Sequence, residues 1–145
     1  MTMESLLQLA AKAAASGEVP IAAMVTGTTG EIIAMSHNEV ETRQDATAHA
    51  ELLALQMAMK QRGEKYLEDC TLTVTLEPCA MCAQAISLAK VKKLIFGAYD
   101  SKGGGVEHGA RVFSQPTCHH APEIIGGVME KECGQLLSEF FAKKR

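Results

Sequence analysis

The sequence predicts an α/β protein of three layers, in which a mixed five-stranded sheet is covered by helices on both faces. Three observations carry this reading. Short apolar runs rich in β-branched residues alternate along the chain with segments of helical periodicity. Two of the runs, "VPIAAMVTG" and "EIIAMSH", flank the turn residues "TTG" and form an antiparallel hairpin. After the hairpin, strands and helices alternate, which demands right-handed crossovers and helices packed on both faces of the sheet.

Each element follows from local signals. A first helix over about residues 2–16 is ended by Gly17, and the hairpin comes next. A polar loop, 37–47, leads into the helical pattern "AHAELLALQMAMKQRG", with Asp45 or Thr47 as its cap and Gly63 as its stop. "CTLTVTL" is a strand, "CAMCAQAISLAK" a short helix and "KKLIFGAYD" the next strand. A loop holding Gly103, Gly104, Gly105 and Gly109 runs to about 121, and "PEIIGGV" suits a last short strand. "MEKECGQLLSEFFAKKR" closes the chain as an amphipathic helix with Met129, Cys133, Leu136, Leu137 and Phe140 along one face.

Composition bounds the function. A chain of 145 residues, 47% hydrophobic, forms one domain over 1–145, and such a chain buries about two thirds of its unfolded surface. It has no apolar run of membrane-spanning length, so no segment is expected to span a membrane. The first segment carries Glu4 and Lys12 and lacks a basic leader, so it reads as a folded helix, and the expected location is the cytoplasm. Five cysteines, an odd count, argue against a disulfide framework. The net charge of −3 disfavours a general nucleic-acid binder, but its distribution is uneven. Residues 1–89 hold 5 Lys and Arg against 11 Asp and Glu, whereas residues 90–145 hold 9 against 6. The late cations, Lys90, Lys92, Lys93, Lys102, Arg111 and the terminal "KKR", can form a local stripe for phosphates, or simply solvate helix ends.

The chemistry concentrates in two short stretches. In "TLEPCAMC", residues 75–82, Cys79 and Cys82 stand three apart at a helix start behind Pro78, so both sulfurs can face one point. A helix N-terminus lowers the cost of thiolates there. A redox couple would use the same features but needs no second cluster, and "TAHAEL", residues 47–52, supplies one. It offers His49 as a nitrogen ligand and Glu51 as a carboxylate two positions on. One His and two Cys make three ligands, the count of a catalytic zinc site with its fourth position open. H-x-E followed by P-C-x-x-C is the signature of zinc-dependent deaminases. Zinc held by His49, Cys79 and Cys82 would bring a water toward neutral pKa, and Glu51 would carry its proton to the substrate ring and then to the departing ammonia. Cys118, His119 and His120 are contiguous and cannot all face one ion on a regular element, so they read as a loop.

Beyond the two motifs, the stretches "GEVPIAAMV", "HNEVETRQDATAHAELLAL", "TLEPCAMCAQAI", "KLIFGAYDSKGG" and "HHAPEIIGGVMEKECGQLLSEFF" resemble the bacterial tRNA-specific adenosine deaminases, over nearly the whole chain. The resemblance implies a cytidine-deaminase-type α/β/α sandwich, one Zn²⁺ per subunit, and a homodimer acting on the anticodon stem-loop of an arginine tRNA. The reaction it implies is hydrolytic conversion of the wobble adenosine to inosine, with attack at C6. It implies His49, Cys79 and Cys82 as metal ligands and Glu51 as the proton shuttle. It also implies substrate contacts at Asn38, at Asp100 and Lys102 of a "DxK" loop, and at His120; Phe140 or its neighbour Phe141 would shape the groove or stack on a base. His119 and Ala121 stand where the family has Asn and Arg, and "GGVEHG" replaces "GAAGS". The alternatives are a zinc deaminase of a free base such as guanine or cytosine, and a zinc-stabilised RNA-binding module without catalysis.

Overall fold

The computed structural model describes residues 2–144, so Arg145 of the basic terminus lies outside it. Helix α1 (Met3–Ala15) turns at Gly17, whose left-handed φ of 88° lets Glu18 N–H reach back to Ala13 C=O. Strands β1 (Ala22–Thr26) and β2 (Ile32–His37) form the expected hairpin, followed by α2 (Val40–Arg43) and α3 (Ala50–Arg62). Then come β3 (Thr71–Leu76), α4 (Ala80–Leu88), β4 (Lys93–Ala98), a 3-10 turn at Val112–Ser114, β5 (Glu123–Ile125) and α5 (Glu130–Lys143).

The sheet order is β2-β1-β3-β4-β5, antiparallel on the hairpin side and parallel from β3 to β5. Strand alternation divides the core into two. Ala23, Val25, Leu72, Val74, Leu94 and Phe96 pack beneath α3 and α4, with Ala54, Leu55, Ala83 and Ile86. Ala22, Met24, Ala98 and Met35 face the other way, against Leu6 and Ala10 of α1 and Cys133 of α5. Of the closing helix's predicted apolar face only Cys133 is fully buried; Met129 and Leu136 flank the same cluster. The sheet leaves no space for more. A Cβ at Gly97 would strike Cys133 Sγ and the Thr75 carbonyl, so α5 rests directly on the β4 backbone.

This topology collects four chain segments at one end of the sheet. Because β1 runs antiparallel to both β2 and β3, the entry to β1 lies beside the exits of β2, β3 and β4. Glu18, Asn38, Glu77 and Asp100 sit at those four positions, the end at which open α/β sheets bind ligands. The polar loop after β2 contains the short helix α2, which periodicity is too brief to reveal. Buried Glu18 fixes it, accepting the N–H groups of Glu41 (3.0 Å) and Thr42 (2.6 Å) and the Thr42 hydroxyl (2.6 Å). Burial alone would raise the Glu18 carboxyl, but the Thr42 hydroxyl and these two amides outweigh it and hold it below its ordinary value.

A carboxylate depressed in the folded state stabilises above its unfolded value and loses that contribution as pH falls through the folded one. Glu18→Gln should therefore cost about 1–2 kcal/mol at pH 7. The gap between variant and parent should close in urea titrations carried below pH 4.5.

Candidate metal centre and substrate cavity

Two helices begin side by side at this end of the sheet. His49 is the N-cap of α3 and Cys79 the N-cap of α4, both in extended conformation. Pro78 therefore stands one position ahead of the cap rather than inside the first turn. The predicted caps of α3 are not used: Asp45 and Thr47 bond each other, Thr47 N–H and hydroxyl to Asp45 Oδ1 at 2.9 and 2.7 Å. The first N–H of α3, at Ala50, instead donates to Oδ1 of buried Asn38 at 2.8 Å. A residue twelve positions away does the work of a local cap, which is why local signals pointed elsewhere.

His49 Nδ1 lies 3.6 Å from Cys79 Sγ and 3.6 Å from Cys82 Sγ. All three ligand atoms fall within 4.8 Å of one another, and no other such group occurs among the described residues. A tetrahedral ion with metal–sulfur bonds of about 2.3 Å and a metal–nitrogen bond of about 2.0 Å separates nitrogen from sulfur by about 3.6 Å. The donor set and its spacing thus fit zinc, with Nδ1 as the imidazole's ligand atom. Cys118, His119 and His120 form no second group, as their contiguity requires.

The electrostatics agree. The Cys82 thiol donates a hydrogen bond to the Cys79 sulfur, which with lesser help from His49 and against burial brings Cys79 down to about 4. The same hydrogen bond, then burial and the Glu51 charge, push Cys82 up, because the thiol that donates keeps its proton. Such a cluster gives up its second proton to a cation. The bond to Cys79 also raises His49, against burial. Glu51, 4% exposed, is pushed up to about 7 by burial, its own backbone hydrogen bond opposing. That is the range in which a carboxyl can both take and give a proton near neutral pH.

A cavity of about 390 Å³ opens over these groups, lined among others by Val19, Asn38, His49, Glu51, Cys79 and Asp100. A second depression of about 360 Å³ adjoins it, sharing Val19, Leu76 and Asp100 and walled by Tyr99, Leu137 and Phe141. The expected groove aromatic is thus Phe141, 48% exposed, and not Phe140. Phe140 is half-buried, edge-on to Phe141 at 5.4 Å and beneath Lys144 Nζ at 5.2 Å. The two positions differ by 100° around the helix, which adjacency in sequence cannot resolve. Asp100 Oδ1 accepts the N–H groups of Lys102 (3.1 Å) and Gly103 (2.9 Å), and the Lys102 side chain is exposed.

His120 is set apart from the other expected contacts. Its Nε2 meets the Val91 carbonyl at 2.7 Å, and its own carbonyl accepts the Ser87 hydroxyl at 2.7 Å. Val91 precedes β4, so the ring is pinned at the opposite end of the sheet, about 20 Å of strand from the metal turn. Two carboxylates that the sequence did not single out, Glu18 and Glu77, line the cavity instead.

Residues 1–98 match the family model of the cytidine and deoxycytidylate deaminase zinc-binding region. The chain is 48% identical over 143 residues to a tRNA-specific adenosine deaminase of Agrobacterium fabrum, covering 99% of this chain and 93% of that one. It superimposes with a TM-score of 0.90 and 47% identity on a solved structure from work on A-to-I editing by tRNA:A34 deaminases, covering 93% of this chain and 97% of that one. A guanine deaminase from Bacillus subtilis matches with a TM-score of 0.64 and 28% identity, over 99% of this chain and 94% of that one. A cavity walled by His49, Glu51 and Cys79, with the fold that carries it, accords with these matches: the chain belongs to the cytidine and deoxycytidylate deaminase family.

Proposed function

We propose that this single-domain chain deaminates adenosine to inosine at the wobble position of an arginine tRNA, with His49, Cys79 and Cys82 as zinc ligands and Glu51 as proton shuttle. The observation that carries the chemistry is the 3.6 Å spacing of His49 Nδ1 to both sulfurs, beside a buried carboxyl raised to about 7. When bound, zinc supplies a water acidic enough to serve as nucleophile near neutral pH. Glu51, which is not a ligand, would take a proton from the attacking water and give it to the ring nitrogen, then take the second from the oxygen now on the ring carbon and give it to the amine, which leaves as ammonia. Asn38 spends its Oδ1 on Ala50 N–H, so its side-chain NH₂ is left to donate to an acceptor on the base. Asp100 and Lys102 belong to the loop beside the cavity and would meet the flanking nucleotides.

The RNA substrate rests on the relatives: the Agrobacterium fabrum protein, alike over nearly its whole length, is named for tRNA adenosine. The excess of cations after residue 89 suits an anticodon loop. Apolar side chains left exposed on α3 and α4, Met57, Met81 and Leu88, support a homodimer. A tRNA substrate supports a cytoplasmic location. Among the described residues no helix is long and apolar enough to cross a membrane.

Zinc-loaded protein should convert adenosine to inosine at the wobble position of an arginine anticodon stem-loop, read by sequencing as A to G. The rate at low substrate should fall steeply with added salt. Release of ammonia from a free base, guanine or cytosine, with no inosine in the RNA would replace this substrate by that base; guanine is the one named for the Bacillus subtilis relative. Glu51→Ala should keep stoichiometric zinc while turnover drops by about 10²–10⁴-fold. Cys82→Ala, in contrast, should purify with little zinc, measured by inductively coupled plasma analysis.

A further inference from the structure

One buried group at the cavity is unused by this chemistry. The Glu77 side chain is 0% exposed, yet its carboxylate collects five hydrogen bonds. Oε1 accepts the Asp100 N–H at 3.0 Å and faces His108 Nδ1 at 2.8 Å. Oε2 accepts the N–H groups of Val106, Glu107 and His108 at 3.1, 2.9 and 3.1 Å. All five donors belong to the loop after β4. Three successive amides turned on one oxygen form an anion nest closed by an imidazole. The carboxylate only accepts, so His108 Nδ1 carries the hydrogen.

The same loop lies flat on the ligand turn. A Cβ at Gly105 would stand 2.5 Å from Ala80 N and 2.8 Å from the carbonyl carbon of Cys79, and one at Gly104 would meet Glu77 Oε2 at 2.5 Å. The His108 ring then packs edge-on against Tyr99 at 6.1 Å, and Tyr99 and Asp100 wall the second depression. Every side-chain hydrogen bond of Glu77, and the one made by the His108 ring, joins the metal turn to this loop.

We propose that Glu77 and His108 are a positioning pair, which fastens the loop carrying Asp100 and Lys102 to the metal turn so that it meets the nucleotides flanking the reacting base. This rests on the RNA reading above. Neither residue touches the reacting atoms; both act through the loop.

The test compares zinc-loaded full-length protein with its His108→Leu and His108→Asn variants, by amide hydrogen exchange and by steady-state kinetics on the arginine stem-loop. His108→Leu should speed exchange over residues 100–109 alone and raise KM about tenfold, the effect of losing one charge-assisted hydrogen bond, with kcat within about twofold and zinc unchanged. His108→Asn, whose amide nitrogen can stand where Nδ1 does, should restore both. Unaltered loop exchange in His108→Leu, or an Asn variant no better than Leu, overturns the proposal. If the parent protein makes no inosine, the RNA reading fails, while the exchange comparison still decides whether the pair holds the loop.

Discussion

The structure depends on the meeting of two helix starts at one end of a sheet. His49 and Cys79 each occupy an N-cap, and Cys82 lies one turn further along α4. Helix N-termini favour negative charge, so the thiolates sit where the backbone field assists them. The sheet fixes the distance between the helices, since α3 and α4 pack on the same face over Leu72, Val74 and Phe96. A change in that packing would move the nitrogen relative to the sulfurs, and a spacing of 3.6 Å leaves little tolerance for a tetrahedral ion.

Around this centre, three glutamates show how one residue type is given different tasks. Glu18 and Glu77 are buried, but each is surrounded by donors, and both are held below their ordinary value. For Glu77 burial pulls upward and the amides of Asp100, Glu107 and Val106 with the His108 ring overcome it. They are fixed anions that tie the loops after β2 and β4 to the site. Glu51 is as deeply buried but lacks such a ring of donors, so burial dominates and its carboxyl rises to about 7. Two carboxylates organise the cavity walls, and the third has the raised carboxyl that the proposed proton shuttle requires.

What was legible in the sequence was local. Cys79 and Cys82 stand three apart at one helix start, so spacing alone placed both sulfurs on a common face, and H-x-E was legible as the motif that accompanies them. The hairpin, Gly17 and Gly63 likewise act on their immediate neighbours. What escaped notice depends on contacts between distant segments. Asn38 caps a helix twelve residues on, Glu77 reaches residues 29 to 31 positions away, and His120 is held by Val91 across 29 residues. Such partners exist only once the strand order is known. The choice between Phe140 and Phe141 stayed open for another reason, since it turns on the rotation of α5 about its axis, which adjacency in sequence does not fix.

The most direct test of the account is the zinc X-ray absorption spectrum of the purified full-length protein. The site predicts two sulfur neighbours at about 2.3 Å and two lighter neighbours at about 2.0 Å, one the imidazole of His49 and the other an exchangeable oxygen. Loss of a sulfur neighbour in Cys82→Ser would follow. A shell of four sulfurs, or one of oxygens alone, would contradict a three-ligand centre with an open position, and with it the catalytic reading of Glu51.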